Sequence, residues 1–180
     1  MAQIIKAPNS VLAQKAKPVK KVDKTILKII EQMKKALLSA RDPIGVGLAA
    51  PQIGKPLQIF VSKPSAKSPI QVFINPKVKL IGKPEKLKAE DKAVKLEGCL
   101  SLPNIWGEVC RPPMVSISYV DEFGNKKTKK ISGFLATIIQ HEMDHLNGVL
   151  FPKRVLEQKG ALYRSEKDEK GDDVFEEIKI

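Results

Sequence analysis

Both histidines of the chain stand in one short segment, His141-Glu142-Met143-Asp144-His145. Residues four apart lie on one face of a helix, so two imidazoles at this spacing can grip one metal ion. Glu142 follows the first histidine, where its carboxylate can reach a water held by that ion. A metal lowers the pKa of such a water towards neutrality, and a neighbouring carboxylate can take and return its proton. The pattern suggests metal-assisted hydrolysis, although five-residue matches also arise by chance on ordinary helices.

Two histidines do not complete a catalytic site, which ordinarily has three protein ligands and an open position. One zinc-protease pattern puts a third histidine six residues after the second; this chain has Phe151 there. Another uses a downstream glutamate, for which Glu157 and Glu166 are candidates by distance, in surroundings that favour solvated surface roles. The remaining soft ligands are Cys99 and Cys110. A lone cysteine is more often a small buried hydrophobe than a ligand, and Cys110 in Glu108-Val109-Cys110-Arg111 suits that role. Cys99 lies in Glu97-Gly98-Cys99-Leu100-Ser101-Leu102-Pro103, where the glycine permits close backbone approach.

The histidine pair needs a helix, and Gly133 to Leu146 reads as one, with Phe134, Leu135, Ile138, Ile139 and Met143 at its apolar positions and Gly148 as the stop. A first helix is expected from Asp23, as N-cap, to about Ala40, with Ile26, Ile29, Ile30, Met33 and Leu37 on one core-facing stripe. Asp42-Pro43 breaks it. Residues 1–21 read as an extended arm with a Pro8-Asn9-Ser10 turn. After the glycine-rich Gly45–Gly54, strands are expected at Gln58–Ser62, Ile70–Ile74, Val78–Ile81 and Val115–Val120. A turn at Asp121–Asn125 and a strand to about Ile131 complete a hairpin. Lys83–Lys92 reads as a loop. A short basic stretch then precedes Leu162–Glu166 and Val174–Ile180 around Lys170-Gly171, a terminal hairpin with a frayed acidic tail as the alternative. The mixture is α+β.

The formal charge is +12, with hydrophobic residues at 42% and charged residues at 29%, a composition that suits one globular domain. Ser165–Ile180 carries seven acids and three lysines, a net −4, which leaves +16 on the remainder. No apolar run approaches the ~18 residues of a membrane span. The opening MAQIIKAPNSVLAQ lacks the layout of a secretory signal. A cytoplasmic location and no membrane partner are the expectation. In a reducing compartment, cysteines point to metal or catalysis more than to disulfides.

Three motifs together resemble the peptide deformylase family: GVGLAAPQIG at 45–54, EGCLSLP at 97–103 and QHEMDHLNGVLF at 140–151. Each is modest alone; the three in the family's order are specific, and the likeness runs from the arm to about Phe151. The resemblance implies antiparallel or mixed sheets packed around a central metal-binding helix. It implies one catalytic domain over 1–180, with about 152–180 a divergent extension. Cys99, His141 and His145 become the metal ligands, with ferrous iron expected and zinc, nickel or cobalt able to occupy such a site. Glu142 becomes the general base and acid. Gln52, by its side-chain amide, and Leu100, by its backbone N–H, become the donors to the oxyanion. Arg111 matches an arginine that pairs with the glutamate at Glu97. Gly45, Val46, Gly47 and Gly98 would line the groove where substrate adds as a strand, and Phe134, Thr137 and Ile138 the pocket for the methionine side chain. Thr137 departs from a larger aliphatic residue common there. The implied substrates are N-formylmethionyl nascent peptides and the product formate, with a monomer expected and room for transient ribosome contact. Because the acidic tail replaces a long basic helix, the +16 remainder is the better surface for it.

Two other readings stay open on the residues. A metalloprotease cutting internal peptide bonds would use a carboxylate such as Glu166 in place of Cys99. A basic RNA- or ribosome-binding module would need no catalysis, but aromatics are only 5% of residues and no aromatic-rich RNA motif stands out.

Overall fold

The computed structural model describes residues 2–41, 43–84 and 96–179. Four parts of the sequence reading lie outside these: Met1 of the extended arm, Asp42 of the helix break, 85–92 of the expected loop, and Ile180 at the end of the last strand.

The first helix, α1 (Lys24–Ser39), begins where Asp23 caps it, its carboxylate accepting from Ile26 N–H at 2.9 Å. Ile26, Ile30, Met33 and Leu37 are buried along one side, and Ile29 packs beside them. The strands β1 (Gly47–Ala49), β2 (Ile59–Ser62), β3 (Gln71–Ile81), β6 (Met114–Val120) and β7 (Lys126–Ser132) form one antiparallel sheet in the order β1-β2-β3-β6-β7. Alternation along the strands sends Leu48, Ile59, Val61, Val72 and Ile74 towards α1. It sends Ala49, Phe60, Phe73, Val115, Ile117 and Tyr119 to the opposite face. That second face is covered by α2 (Phe134–Leu146), which contributes Ala136, Ile139 and Leu146. The Phe60 and Phe73 rings stack with centroids 4.5 Å apart. The metal-binding motif therefore rides on a helix laid against a sheet that is itself backed by α1.

A second antiparallel sheet, in the order β4-β5-β8-β9, contains β4 (Leu96–Cys99), β5 (Leu102–Glu108), β8 (Leu162–Lys167) and β9 (Asp173–Glu177). Against this sheet lies α3 (Phe151–Glu157), whose Phe151 and Val155 pack with Cys99 and Leu162.

The structure departs from the sequence reading in several places. The expected strands at 70–74 and 78–81 are one strand, β3, with an irregularity at Asn75-Pro76, where Asn75 takes a positive φ of 49°; a proline inside a strand is compatible with such a bulge. The EGCLSLP segment is a hairpin, β4–β5, rather than unassigned chain. The short basic stretch after the stop is the helix α3, too short at seven residues to show a period. The terminal hairpin, by contrast, forms as expected and without fraying: β8 pairs with β5, matching Trp106 to Tyr163, and β9 pairs with β8. Trp106 Nε1 donates to Ser165 Oγ at 3.0 Å, and its ring meets Phe175 edge-on.

Candidate metal centre and active site

The His–Glu pair and Cys99 meet because a helix and a hairpin end at the same point. On α2, positions 134, 137, 138, 141 and 145 share a face by their spacing. On the hairpin, β4 pairs in register until Gly98↔Trp106, and then Cys99 pairs with Leu102 across the two-residue turn Leu100-Ser101. Pro103, Asn104 and Ile105 thus face no residue of β4, and Asn104 takes a φ of 62°. A bulge re-aims side chains. Here the turn end carries Cys99 Sγ to 3.2 Å from His145 Nε2. The ligand atoms of Cys99, His141 and His145 all lie within 4.8 Å of one another, and this is the cluster among the described residues that fits a metal ion.

The chemistry of the donor set fits a divalent cation. His141 Nδ1 sits 3.1 Å from Glu97 Oε2, an acceptor that keeps a proton on Nδ1 and makes Nε2 the ring atom able to bind a cation once it is deprotonated. Burial alone would raise the Cys99 thiol, but the charge of His145 and the hydrogen bond with His141 hold it well below the ordinary thiol range. The same contacts act reciprocally on His141. Burial disfavours its charged form, yet the hydrogen bonds it donates to Cys99 and Glu97 favour that form and raise its pKa well above the usual value. A thiolate is the form that ligates. His145 Nδ1 and Glu142 Oε2 are buried without a hydrogen-bond partner. Such orphaned atoms are costly unless something polar occupies the site beside them.

Glu142 is buried, and burial pushes its carboxyl up to about 7, a rise opposed by the charges of His141 and His145 and helped by Cys99. Gly47 makes room for it. A Cβ built at Gly47 would overlap Glu142 Oε1 and stand 2.9 Å from both Glu142 Cδ and Ile138 Cγ2. Gln52 follows Ala50-Pro51 in a short 3-10 turn and is 1% exposed. Its Oε1 accepts from Ala49 N–H at 2.8 Å, and its Nε2 donates to Ser101 Oγ at 3.1 Å and points to Cys99 Sγ at 3.6 Å. The amide is thereby held with its N–H side towards the cysteine.

A buried charge ladder supports the ligands. Arg111 donates to Glu97 through Nε at 2.5 Å and Nη2 at 2.9 Å, and to Asp144 through Nη1 at 3.1 Å. Arg154 closes it from α3, donating to Asp144 at 2.7 Å. Burial would raise Glu97, but Arg111 and His141 hold it down at about 2.

The other sequence candidates are placed as follows. Ile138 is buried against Gly47, Thr137 is half-buried and Phe134 is exposed at the start of α2. Gly98 lies under the Trp106 ring, which a Cβ there would meet at 2.8 Å. The Val46 carbonyl accepts from Lys63 N–H at 2.7 Å, tying the start of β1 to the end of β2. Gly45 turns instead to the end of α1, its N–H donating to Ala40 O at 3.1 Å and its Cα facing the Leu37 carbonyl. Glu157 pairs with Arg154 at 3.0 Å and Glu166 lies exposed on β8; neither joins the cluster. Phe151, in the place of a third histidine, packs its ring 6.1 Å from that of His141. Sequence reasoning missed Ser101, Asp144 and Arg154. The serine and the aspartate each sit inside a motif already singled out, one residue from a candidate, which was the available signal.

Known proteins resemble this chain in sequence and in fold. A family model described as polypeptide deformylase matches residues 1–161. A peptide deformylase of Thermosynechococcus vestitus is 45% identical over 164 residues, covering 89% of this chain and 81% of the relative. One of Microchaete diplosiphon is 44% identical, covering 81% of this chain and 74% of the relative. The crystal structure of a Synechococcus elongatus peptide deformylase in complex with actinonin superposes with a TM-score of 0.74 at 40% identity, covering 85% of this chain and 78% of that one. That from Thermotoga maritima also gives 0.74, at 35% identity, with 86% and 97% covered. With the same three motifs converging on one buried site, the chain belongs to the polypeptide deformylase family.

Proposed function

We propose that the chain hydrolyses the N-formyl amide of formyl-methionine at the N-terminus of nascent polypeptides, releasing formate and a free amine. The observation that carries this reading is Cys99, delivered by the β4–β5 turn to complete a three-ligand set beside Gln52. Cys99, His141 and His145 would hold the cation, ferrous iron in this reading; zinc, nickel and cobalt suit the same donors. When bound, the cation supplies Lewis acidity and lowers the pKa of a water it binds. Glu142, poised near neutrality by burial, takes the proton of the attacking water and passes it to the leaving amine. Gln52 Nε2 and the Leu100 N–H donate to the formyl oxygen as it gains charge, a contribution of about 3 kcal/mol per donor. The formyl carbon bears only hydrogen, so this water meets little steric resistance.

The edge strand β1 supports substrate binding by strand addition along Val46 and Gly47, and Gly98 is proposed to line the same groove. Ile138, Thr137 and Phe134 are proposed to take the methionine side chain. Gly45 shapes this loop from behind, through its contact with α1. The whole chain acts as one domain, because β8 is paired to the strand that adjoins Cys99. We place the enzyme in the cytoplasm as a monomer; among the described residues no helix is long and apolar enough to cross a membrane. For ribosome contact the favoured surface is the outer face of β3, β6 and β7. Lys77, Lys79, Lys126 and Lys130 share it by register, around a Ser118–Thr128 hydroxyl pair at 3.0 Å. Salt should weaken that contact.

The test is formate release from formyl-Met-Ala-Ser by protein loaded anaerobically with iron(II) or nickel(II), beside an acetylated peptide and an unblocked peptide. Formate from the first, and no cleavage of the others, supports the reading. Internal cleavage of the unblocked peptide would favour a protease instead.

A further inference from the structure

Three consecutive residues of the N-terminal arm each donate one hydrogen bond to the segments that carry the two proposed oxyanion donors. Ile5 N–H donates to the Gln52 carbonyl at 2.8 Å, and Ala7 N–H to the Ser101 carbonyl at 2.9 Å. Between them, Lys6 Nζ donates to the Leu100 carbonyl at 2.6 Å. The backbone pair would survive almost any substitution in the arm. The Lys6 bond would not, and it is the one that reaches the residue whose N–H is proposed to act.

Leu100 needs such a restraint. It and Ser101 form a two-residue turn at a bulge, off the regular β4–β5 ladder. Cys99 Sγ is held from one side by His145. Between the Leu100 N–H and C=O lie only that residue's φ and ψ. Fixing the carbonyl at one end and Cys99 at the other therefore fixes the direction of the N–H. A lysine on an exposed carbonyl would be an ordinary surface contact of little worth. This carbonyl belongs to a buried leucine, 8% exposed, and charge-assisted bonds of this length are the stronger kind.

We infer that Lys6 is a positioning residue: its ammonium pins the Leu100 turn so that Leu100 N–H and Gln52 Nε2 converge on one oxygen. The inference rests on reading those two groups as oxyanion donors. Lys6 touches neither substrate nor ligand; it acts through Leu100, and the arm acts as a strap across the two donor segments.

The test compares Lys6→Met, Lys6→Arg and Gln52→Leu for kcat, KM, melting temperature and bound metal. Positioning predicts that Lys6→Met lowers kcat about tenfold, a fraction of what losing a whole donor costs. KM should stay within about twofold, with metal and melting temperature unchanged, and Lys6→Arg should recover most of the loss. The inference is overturned if Lys6→Met keeps full kcat while Gln52→Leu loses it. It is also overturned if Lys6→Met lowers kcat only together with melting temperature and Arg does no better, since the arm would then be merely structural. Full kcat in Gln52→Leu would instead overturn the oxyanion reading itself.

Discussion

Gly47→Ala is the substitution for which the structure makes the sharpest demand. The added methyl would stand 2.9 Å from Glu142 Cδ and from Ile138 Cγ2, and closer still to Glu142 Oε1. Carbon atoms settle at about 3.5–4.0 Å, so each contact is short by the better part of an ångström. Ile138 is buried in α2 and cannot retreat without moving the helix. Relief must come from rotating Glu142 or from backing β1 out of the sheet. Either one shifts the carboxylate relative to Cys99, His141 and His145. Misplacement of about 1 Å is enough to cost about a hundredfold in rate, and overpacking should cost about 1–3 kcal/mol of stability. The new methyl touches none of the three proposed ligands, so metal content should remain at one ion per chain. Formate release should be followed at several substrate concentrations, with metal measured in the same preparation. A variant with full metal and activity within about threefold of the parent would refute the argument that Gly47 is there to seat Glu142.

Four further outcomes follow from the same geometry. Arg111→Met leaves Glu97 and Asp144 buried without their shared cation and should cost about 3–5 kcal/mol in urea unfolding; an unchanged midpoint would show the ladder to be inert. Glu97 titrates near 2 in the folded chain against an ordinary 4.5. Its depressed pKa contributes about 3 kcal/mol that is fully present above pH 4.5 and lost as pH falls from there towards 2. Glu97→Gln should flatten that part of the stability–pH curve, and an identical slope in parent and variant would contradict the assignment. A cation needs the deprotonated Nε2 of His141 and a thiolate at Cys99, so zinc binding should release protons, read by calorimetry in buffers of differing ionisation enthalpy; a binding heat that does not change with buffer would contradict this. Cys99→Ser should lose zinc affinity by orders of magnitude, because a hydroxyl does not supply a thiolate; undiminished affinity would remove Cys99 from the ligand set.

The two long helices were legible because each carries enough turns for a period to show, and because Asp23 and Gly148 mark an end of each. The β6–β7 hairpin was legible from its alternation and its Asp121–Asn125 turn. Short elements were not: α3 is too short for Phe151, Val155 and Leu156 to show a period, and β4–β5 contains Gly98 and Pro103, residue types that ordinarily interrupt a strand pattern. The clustering of Cys99, His141 and His145 could be anticipated, the histidine pair from its spacing and Cys99 from the resemblance. Of the supports, the Arg111–Glu97 pair was implied by the resemblance, and the others were not. Arg111 reaches Asp144 across 33 residues and Lys6 reaches Leu100 across 94, and no local pattern encodes such pairings. Gly45 and Gly47 look equivalent in a glycine-rich loop, yet one faces α1 and the other faces Glu142.

The most direct test of the central claim is formate release from formyl-Met-Ala-Ser by the metal-loaded parent and by Glu142→Ala, with bound metal quantified in both. The account predicts one ion per chain in each protein, rapid formate release by the parent and a loss of several orders of magnitude in the variant. A metal-replete parent that releases no formate, or a Glu142→Ala protein that matches it, would contradict the account.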